Sequence, residues 1–140
     1  MSLNSFLARQ REVGTKFVKV ARTDTTATIR GMIPKDSYVV GTFVMGSTAS
    51  DAATTATISV GTTSANANEL INAFDVKTAA TATGFQATAA KAAGHGSQLT
   101  ADKQIYVKYA ETGTASTTGG PWIVRIDYVQ GFGQGDLLVP

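Results

Sequence analysis

Short runs of alternating apolar and polar residues, each closed by turn-forming residues, are the feature that most limits how this chain can fold. The clearest runs are SYVVGTFVM at 37–45, ATISVG at 56–61, QIYVKY at 104–109 and WIVRIDYV at 122–129. Side chains two positions apart share one face of a strand, so each run predicts a strand with one buried face. Gly41 inside the first run predicts a β-bulge or a close backbone contact.

These strands are not separated by regular helical segments, which argues against a parallel sheet built from βαβ units. We therefore predict an all-β fold, an antiparallel β-sandwich of jelly-roll-like type with about eight short strands. The runs at 104–109 and 122–129 are joined by a Gly- and Thr-rich turn. They are predicted to pair with each other as antiparallel neighbours.

Composition supports one domain with extensions at both ends. The 140 residues suffice for one continuous core, and only 16% of them are charged. Threonine is abundant, and its β-branched side chain favours strands over helices. The predicted division is an N-terminal arm at 1–14, the sandwich domain at 15–130 and a C-terminal tail at 131–140.

Two less regular segments interrupt the strand pattern. Asn68 is placed to cap a single helical turn over 69–72, before strand-like spacing resumes. Residues 79–98 are dominated by Ala, Thr and Gly, and they predict either weak edge strands or a long loop.

The arm and the tail are the predicted interaction segments. Leu3, Phe6 and Leu7 have helix-like spacing, but the length of the arm is at the margin for an isolated helix in water. We therefore expect the arm to become ordered only by docking on a partner. The tail contains Leu137-Leu138-Val139, and it is expected to dock on the domain or on a neighbouring subunit. The residues predicted to contact a binding partner or another subunit are Leu3, Phe6, Leu7, Arg9, Arg11, Trp122, Leu137 and Leu138.

Catalytic and metal-binding patterns are not found. The chain has no cysteine, and its single histidine, His95, stands between two glycines. One imidazole makes neither a triad nor a metal cage. The acidic residues weighed as a catalytic pair are interpreted as surface charges: Glu69, Asp75, Asp102, Glu111 and Asp127. Asp127 is expected to pair with Arg125 or with a lysine on a facing strand. The prediction is a protein that is not an enzyme and uses no cofactor or metal.

Net charge and hydropathy argue against nucleic acids and membranes as partners. Twelve basic and ten acidic residues give a net charge of +2, which provides little positive field for nucleic acid. No stretch approaches the roughly 18 apolar residues of a membrane span. We predict neither nucleic-acid nor membrane binding, and synthesis in a cytoplasm.

Aromatic residues leave a second function open. Tyr106, Tyr109 and Tyr128 lie on the two predicted strands near Trp122, and they would stack sugars if they shared an exposed face. In that case the chain would be a carbohydrate-binding or host-adhesion module of a tail or head fibre. Trp122 begins the most apolar strand, which favours a place in the core or in a subunit interface.

Two long segments resemble a group of small virion proteins from tailed bacteriophages. They are TATISVGTTSANANELINAFDVKT and LTADKQIYVKYAETGTASTTGGPWIVRIDYV, together spanning roughly residues 54–129. Proteins of this group look like capsid decoration (cement) proteins, or else minor head or tail components. The resemblance implies β-sandwich subunits, often homotrimers, that bind the major capsid protein on the phage head surface after synthesis in the host cytoplasm. It transfers no functional site residue.

Overall fold

The computed structural model describes residues 12–46, 48–78, 85–88 and 99–130. Their secondary structure is entirely β, which confirms the predicted fold class. The eight strands are β1 (Glu12–Val20), β2 (Thr28–Ile33), β3 (Ser37–Gly46), β4 (Thr55–Gly61), β5 (Ile71–Asp75), β6 (Phe85–Thr88), β7 (Lys103–Thr112) and β8 (Trp122–Gln130).

The strands form two four-stranded antiparallel sheets. Sheet A has the order β1-β8-β3-β6, and sheet B has the order β2-β7-β4-β5. The first strand pairs with the last, the second with the seventh, the third with the sixth and the fourth with the fifth. This is the pairing of one long hairpin rolled into two facing sheets, which is a jelly roll.

The predicted pairing of β7 with β8 is wrong. β7 lies between β2 and β4 in sheet B, whereas β8 lies between β1 and β3 in sheet A. The segment 113–121 therefore crosses from one sheet to the other and does not close a hairpin. Alternation indicates which face of each strand is buried, but it does not indicate which strands are neighbours.

The core lies between the two sheets and follows the predicted alternation. In β8 the residues Trp122, Val124, Ile126 and Tyr128 point inward and are buried. Trp122 has none of its surface exposed and stacks on Tyr109 of the opposite sheet, with ring centroids 5.5 Å apart and planes 11° apart. Of the two places predicted for Trp122, the structure shows the core.

The predicted bulge in β3 is confirmed. The register of β3 against β8 shifts between Val39 and Gly41, which leaves Val40 as the extra residue. A bulge of this kind bends the strand locally and turns the extra side chain away from the pairing.

The short turn predicted between Asn68 and the next strand is present, but it is not helical and it ends before residue 72. A turn occupies this region, and β5 already begins at Ile71. The Leu70 N–H donates a 2.9 Å hydrogen bond to the Val60 carbonyl, so the backbone joins β4. Pairing with β4 uses backbone groups that a helical turn would have needed.

Within the weakly patterned stretch at 79–98, the structure describes only Phe85–Thr88. These residues form β6, which pairs with β3 at the edge of sheet A. This strand agrees with the edge-strand alternative.

Candidate interaction surfaces

The outer face of sheet A is apolar where a sandwich usually presents polar side chains to water. Val13 and Phe17 on β1 are 75% and 61% exposed, and Val40 on β3 is 58% exposed. Further outward side chains of β3 and β8 are partly buried between them: Tyr38, Phe43, Met45, Ile123 and Val129. Several exposed apolar side chains on one face are typical of association surfaces.

The charges at the centre of this face neutralise each other. Arg125 Nη2 lies 3.0 Å from Asp127 Oδ2, as the sequence predicted, and the Thr15 hydroxyl donates a 2.9 Å hydrogen bond to Asp127 Oδ1. The Arg125 guanidinium also lies 4.1 Å from the Phe43 ring centroid. Because Arg125 and Asp127 pair with each other, a partner that covers the face would not bury an unpaired charge there.

The arm and the tail connect to the same end of sheet A. Glu12 of β1 is the register partner of Gln130 of β8, and Gln130 is also opposite Ser37 of β3. β1 begins at Glu12, so residues 12–14 of the predicted arm belong to the sandwich. The remaining predicted contact residues lie outside the described part of the chain: Leu3, Phe6, Leu7, Arg9, Arg11, Leu137 and Leu138. Residues 1–11 and 131–140 are thus attached side by side.

The outer face of sheet B is more polar. Ser59 and Lys108 are register partners near its middle, and they line a shallow open cleft together with the Asn-rich turn before β5. Apolar exposure is concentrated at the β2 edge, where Ile29 and Met32 are about half exposed. The two faces of the sandwich therefore differ in chemistry.

The four aromatic side chains proposed for sugar stacking, Tyr106, Tyr109, Tyr128 and Trp122, do not form a shared platform. Tyr109 and Tyr128 point into the core and are buried, as is Trp122. Tyr106 points outward from sheet B, where its hydroxyl donates to Gln104 Oε1 at 3.0 Å. The condition for the carbohydrate-binding alternative, a shared exposed aromatic face, is not met by these four residues.

A buried polar cluster surrounds the Tyr109 hydroxyl. This hydroxyl donates to Glu111 Oε2 at 2.6 Å and lies 2.7 Å from Ser50 Oγ and 3.2 Å from Ser116 Oγ. Burial raises the pKa of Tyr109, and the Glu111 carboxylate raises it further. Every polar atom of the cluster has a hydrogen-bond partner within the protein. The cluster therefore connects the loop at Ser50 to the loop at Ser116.

Two exposed aspartates hold loops through backbone N–H groups. Asp51 accepts from the N–H groups of Thr118 and Thr117 at 2.9 and 2.8 Å and from the Thr117 hydroxyl at 2.7 Å. These bonds, led by the Thr118 N–H, hold the pKa of Asp51 well below its usual value. For Asp75, burial raises the pKa, but the N–H groups of Thr78 and Lys77 outweigh it, so the net shift is downward.

We expect the free energy of unfolding to fall as the pH drops below about 4, the pKa of an unfolded aspartate. A carboxyl with a lowered pKa in the folded state stabilises the fold above its unfolded pKa, and this contribution disappears on protonation. Asp51→Asn should therefore be less stable than the parent at pH 7, and the difference should shrink towards pH 2. Thermal unfolding midpoints of both proteins across this range test the expectation. A difference that stays constant with pH would contradict it.

Among the described residues, no group of three or more His, Cys, Asp or Glu side chains is arranged to hold a metal ion. His95 lies outside the described residues. In the same ranges, no helix is long and apolar enough to cross a membrane.

No protein-family model and no curated protein matches the sequence. Two solved structures match the fold. A chain of the cyanophage Pam1 capsid asymmetric unit aligns with a TM-score of 0.52 and 22% identity, covering 86% of this chain and 83% of that one. A chain of the acidic stable capsid of Helicobacter pylori bacteriophage KHP30 aligns with a TM-score of 0.52 and 15% identity, covering 87% of this chain and 94% of that one. The eight-stranded jelly roll described above is thus a fold shared with chains of two bacteriophage capsid structures.

Proposed function

We propose that this protein is a bacteriophage virion structural protein, a capsid decoration (cement) protein that binds the head lattice of major capsid proteins and stabilises it. The observation that carries the proposal is the jelly roll, which matches chains of two phage capsids over nearly the whole length of all three chains. The resemblance of residues 54–129 to small tailed-phage virion proteins supports the same role.

The mechanism is association without chemistry. A protein that binds the assembled shell, but not the separated subunits, stabilises the shell by mass action. Each bound copy buries surface across the joints between major capsid subunits, and every copy adds to the effect. The attachment of arm and tail beside each other at one end of sheet A favours such contacts at that end.

The arm is the proposed capsid contact. Its apolar residues Leu3, Phe6 and Leu7 would enter grooves between capsid subunits, while Arg9 and Arg11 would meet acidic side chains at their rim. An arm that becomes ordered only on docking can follow a long joint, and its ordering cost is offset by the surface that it buries.

Self-association around a three-fold axis is the second part of the proposal. A homotrimer would present three arms to the lattice at once, and linked binding sites raise the overall affinity through their effective concentration. The proposed location is the outer surface of the phage head, with assembly in the host cytoplasm.

The proposal is tested by adding the purified protein to phage heads that lack it. Bound protein is separated by sedimentation, and the temperature at which the heads open is measured with and without it. We expect saturable binding at a fixed ratio of copies to major capsid protein and a higher opening temperature. Heads that bind none of the protein at micromolar concentration would refute the proposal.

A further inference from the structure

We propose that residues 131–140 fold back over the outer face of sheet A of their own chain, with Leu137 and Leu138 packed on its exposed apolar side chains. This inference concerns the isolated protein and goes beyond the proposed capsid role. Four observations carry it: the apolar face, the point where the segment is attached, the length of the segment and the charges involved.

The outer face of sheet A exposes apolar side chains that a docked segment would bury. Val13, Phe17 and Val40 each expose more than half of their surface. Covering these side chains removes apolar surface from water, which is favourable in proportion to the area buried. The opposite face of the sandwich, with Ser59 and Lys108 at its middle, offers an apolar segment no comparable gain.

Residues 131–140 are attached next to the exposed apolar side chains of sheet A. β8 is flanked by β1 and β3, so residue 131 follows directly from the interior of sheet A. The register row next to this end contains Val13, Val129 and Tyr38. A chain that reverses after Gln130 passes over this row first.

The length and the composition of the segment suit a reversal. Gly131, Gly133 and Gly135 occupy alternate positions, and glycine adopts the turn conformations that other residues disfavour. A reversal takes about two to five residues. The remaining five to eight residues would span about 17 to 26 Å at about 3.3 Å each, most of the roughly 30 Å length of a nine-residue strand.

Charge favours this segment over the arm, which is attached beside it. The central charges of the face, Arg125 and Asp127, pair with each other, while the exposed Lys19 adds a positive charge. The only charged side chain in residues 131–140 is Asp136, whereas the arm brings Arg9 and Arg11. An acidic, otherwise apolar segment complements the face, and a basic arm does not.

Attachment to the same chain also favours the chain's own face over that of a second copy. A short flexible connection gives an effective concentration in the millimolar range. A second copy reaches that concentration only in concentrated solution. The fold-back is therefore expected in the isolated protein at micromolar concentration.

The absence of cysteine allows a direct test by disulfide trapping in the full chain. Thr15→Cys places a thiol on the outer face of sheet A without removing an apolar residue, and Gln134→Cys places the second thiol in the segment while Asp136 is kept. The matched control combines Lys108→Cys, exposed on the outer face of sheet B, with Gln134→Cys. We expect the first pair to form an intramolecular disulfide at least about ten times faster than the control pair under mild oxidation.

Adding Leu137→Ser and Leu138→Ser to the first pair tests whether the disulfide forms because the segment is docked on the face or only because it is tethered near it. If the two leucines hold the segment on the face, this variant should crosslink at the slower rate of the control pair. An undiminished rate, equal rates for the two faces, or disulfide-linked dimers in place of crosslinked monomers would each overturn the inference. Failure to bind phage heads would leave this measurement unaffected.

Discussion

Replacing Trp122 with alanine is expected to lower the free energy of unfolding by about 3 to 5 kcal/mol, the cost of truncating a large buried aromatic side chain. Trp122 is fully buried and stacks across the sandwich on Tyr109. Its loss removes apolar burial and leaves a cavity between the two sheets. Urea denaturation followed by circular dichroism gives the change as a shift of the midpoint at constant slope.

Ile29→Ala is the matched control for this variant. Ile29 lies on edge strand β2 and is half exposed, so its truncation should cost less than about 1 kcal/mol. A similar loss of stability in the two variants would show that the core does not lie where the structure places it.

Deleting residues 2–11 is expected to abolish binding to phage heads and to leave the jelly roll folded. The boundary follows from the structure, because β1 begins at Glu12 and pairs there with Gln130. If the arm supplies the capsid contact, the shortened protein should remain in the supernatant when heads are sedimented. Circular dichroism and the urea midpoint check that the fold is retained.

Two further variants sharpen the arm experiment. Arg9→Ala with Arg11→Ala should weaken binding most at low salt, because exposed charge pairs are screened as ionic strength rises. Ile29→Ser with Met32→Ser removes exposed apolar side chains from sheet B and should leave binding unchanged. Unchanged binding after deletion of residues 2–11 would eliminate the arm as the capsid contact.

The strands themselves could be predicted from the sequence, whereas their neighbours could not. Alternation placed Trp122, Val124 and Ile126 on the buried face of β8, and Gly41 marked the bulge in β3. The partners of β7 and β8 depend on how the long hairpin rolls up. That choice is made by contacts between residues far apart in sequence, which a local pattern does not contain.

The apolar outer face of sheet A left a signal in the sequence that alternation alone conceals. In the strands of sheet A, apolar residues occupy outward as well as inward positions, as with Phe17 beside Val18 and Ile123 beside Val124. Strands covered on both faces show this pattern. In β7 of sheet B, the outward positions of Gln104 and Lys108 hold polar side chains. Apolar residues at both inward and outward positions are therefore the sequence signal by which the apolar outer face of sheet A could have been found.

The role of Asp51 in holding the loop before β8 could not have been found from the sequence. Asp51 stands in a run of small polar residues, and its partners Thr117 and Thr118 are more than sixty positions away. Their meeting depends on the loop at Asp51 and the loop before β8 lying at the same end of the sandwich. The rolled topology brings them together, and no local motif marks them.

If the proposed function is right, this jelly roll occupies the lattice of a phage head. Electron cryomicroscopy of heads lacking the protein, before and after its addition, shows whether it does. We expect new density at repeated lattice positions on the outer surface, each fitted by the two sheets and connected to the shell beside Glu12. Heads whose reconstruction is unchanged at saturating concentrations of the protein would contradict it.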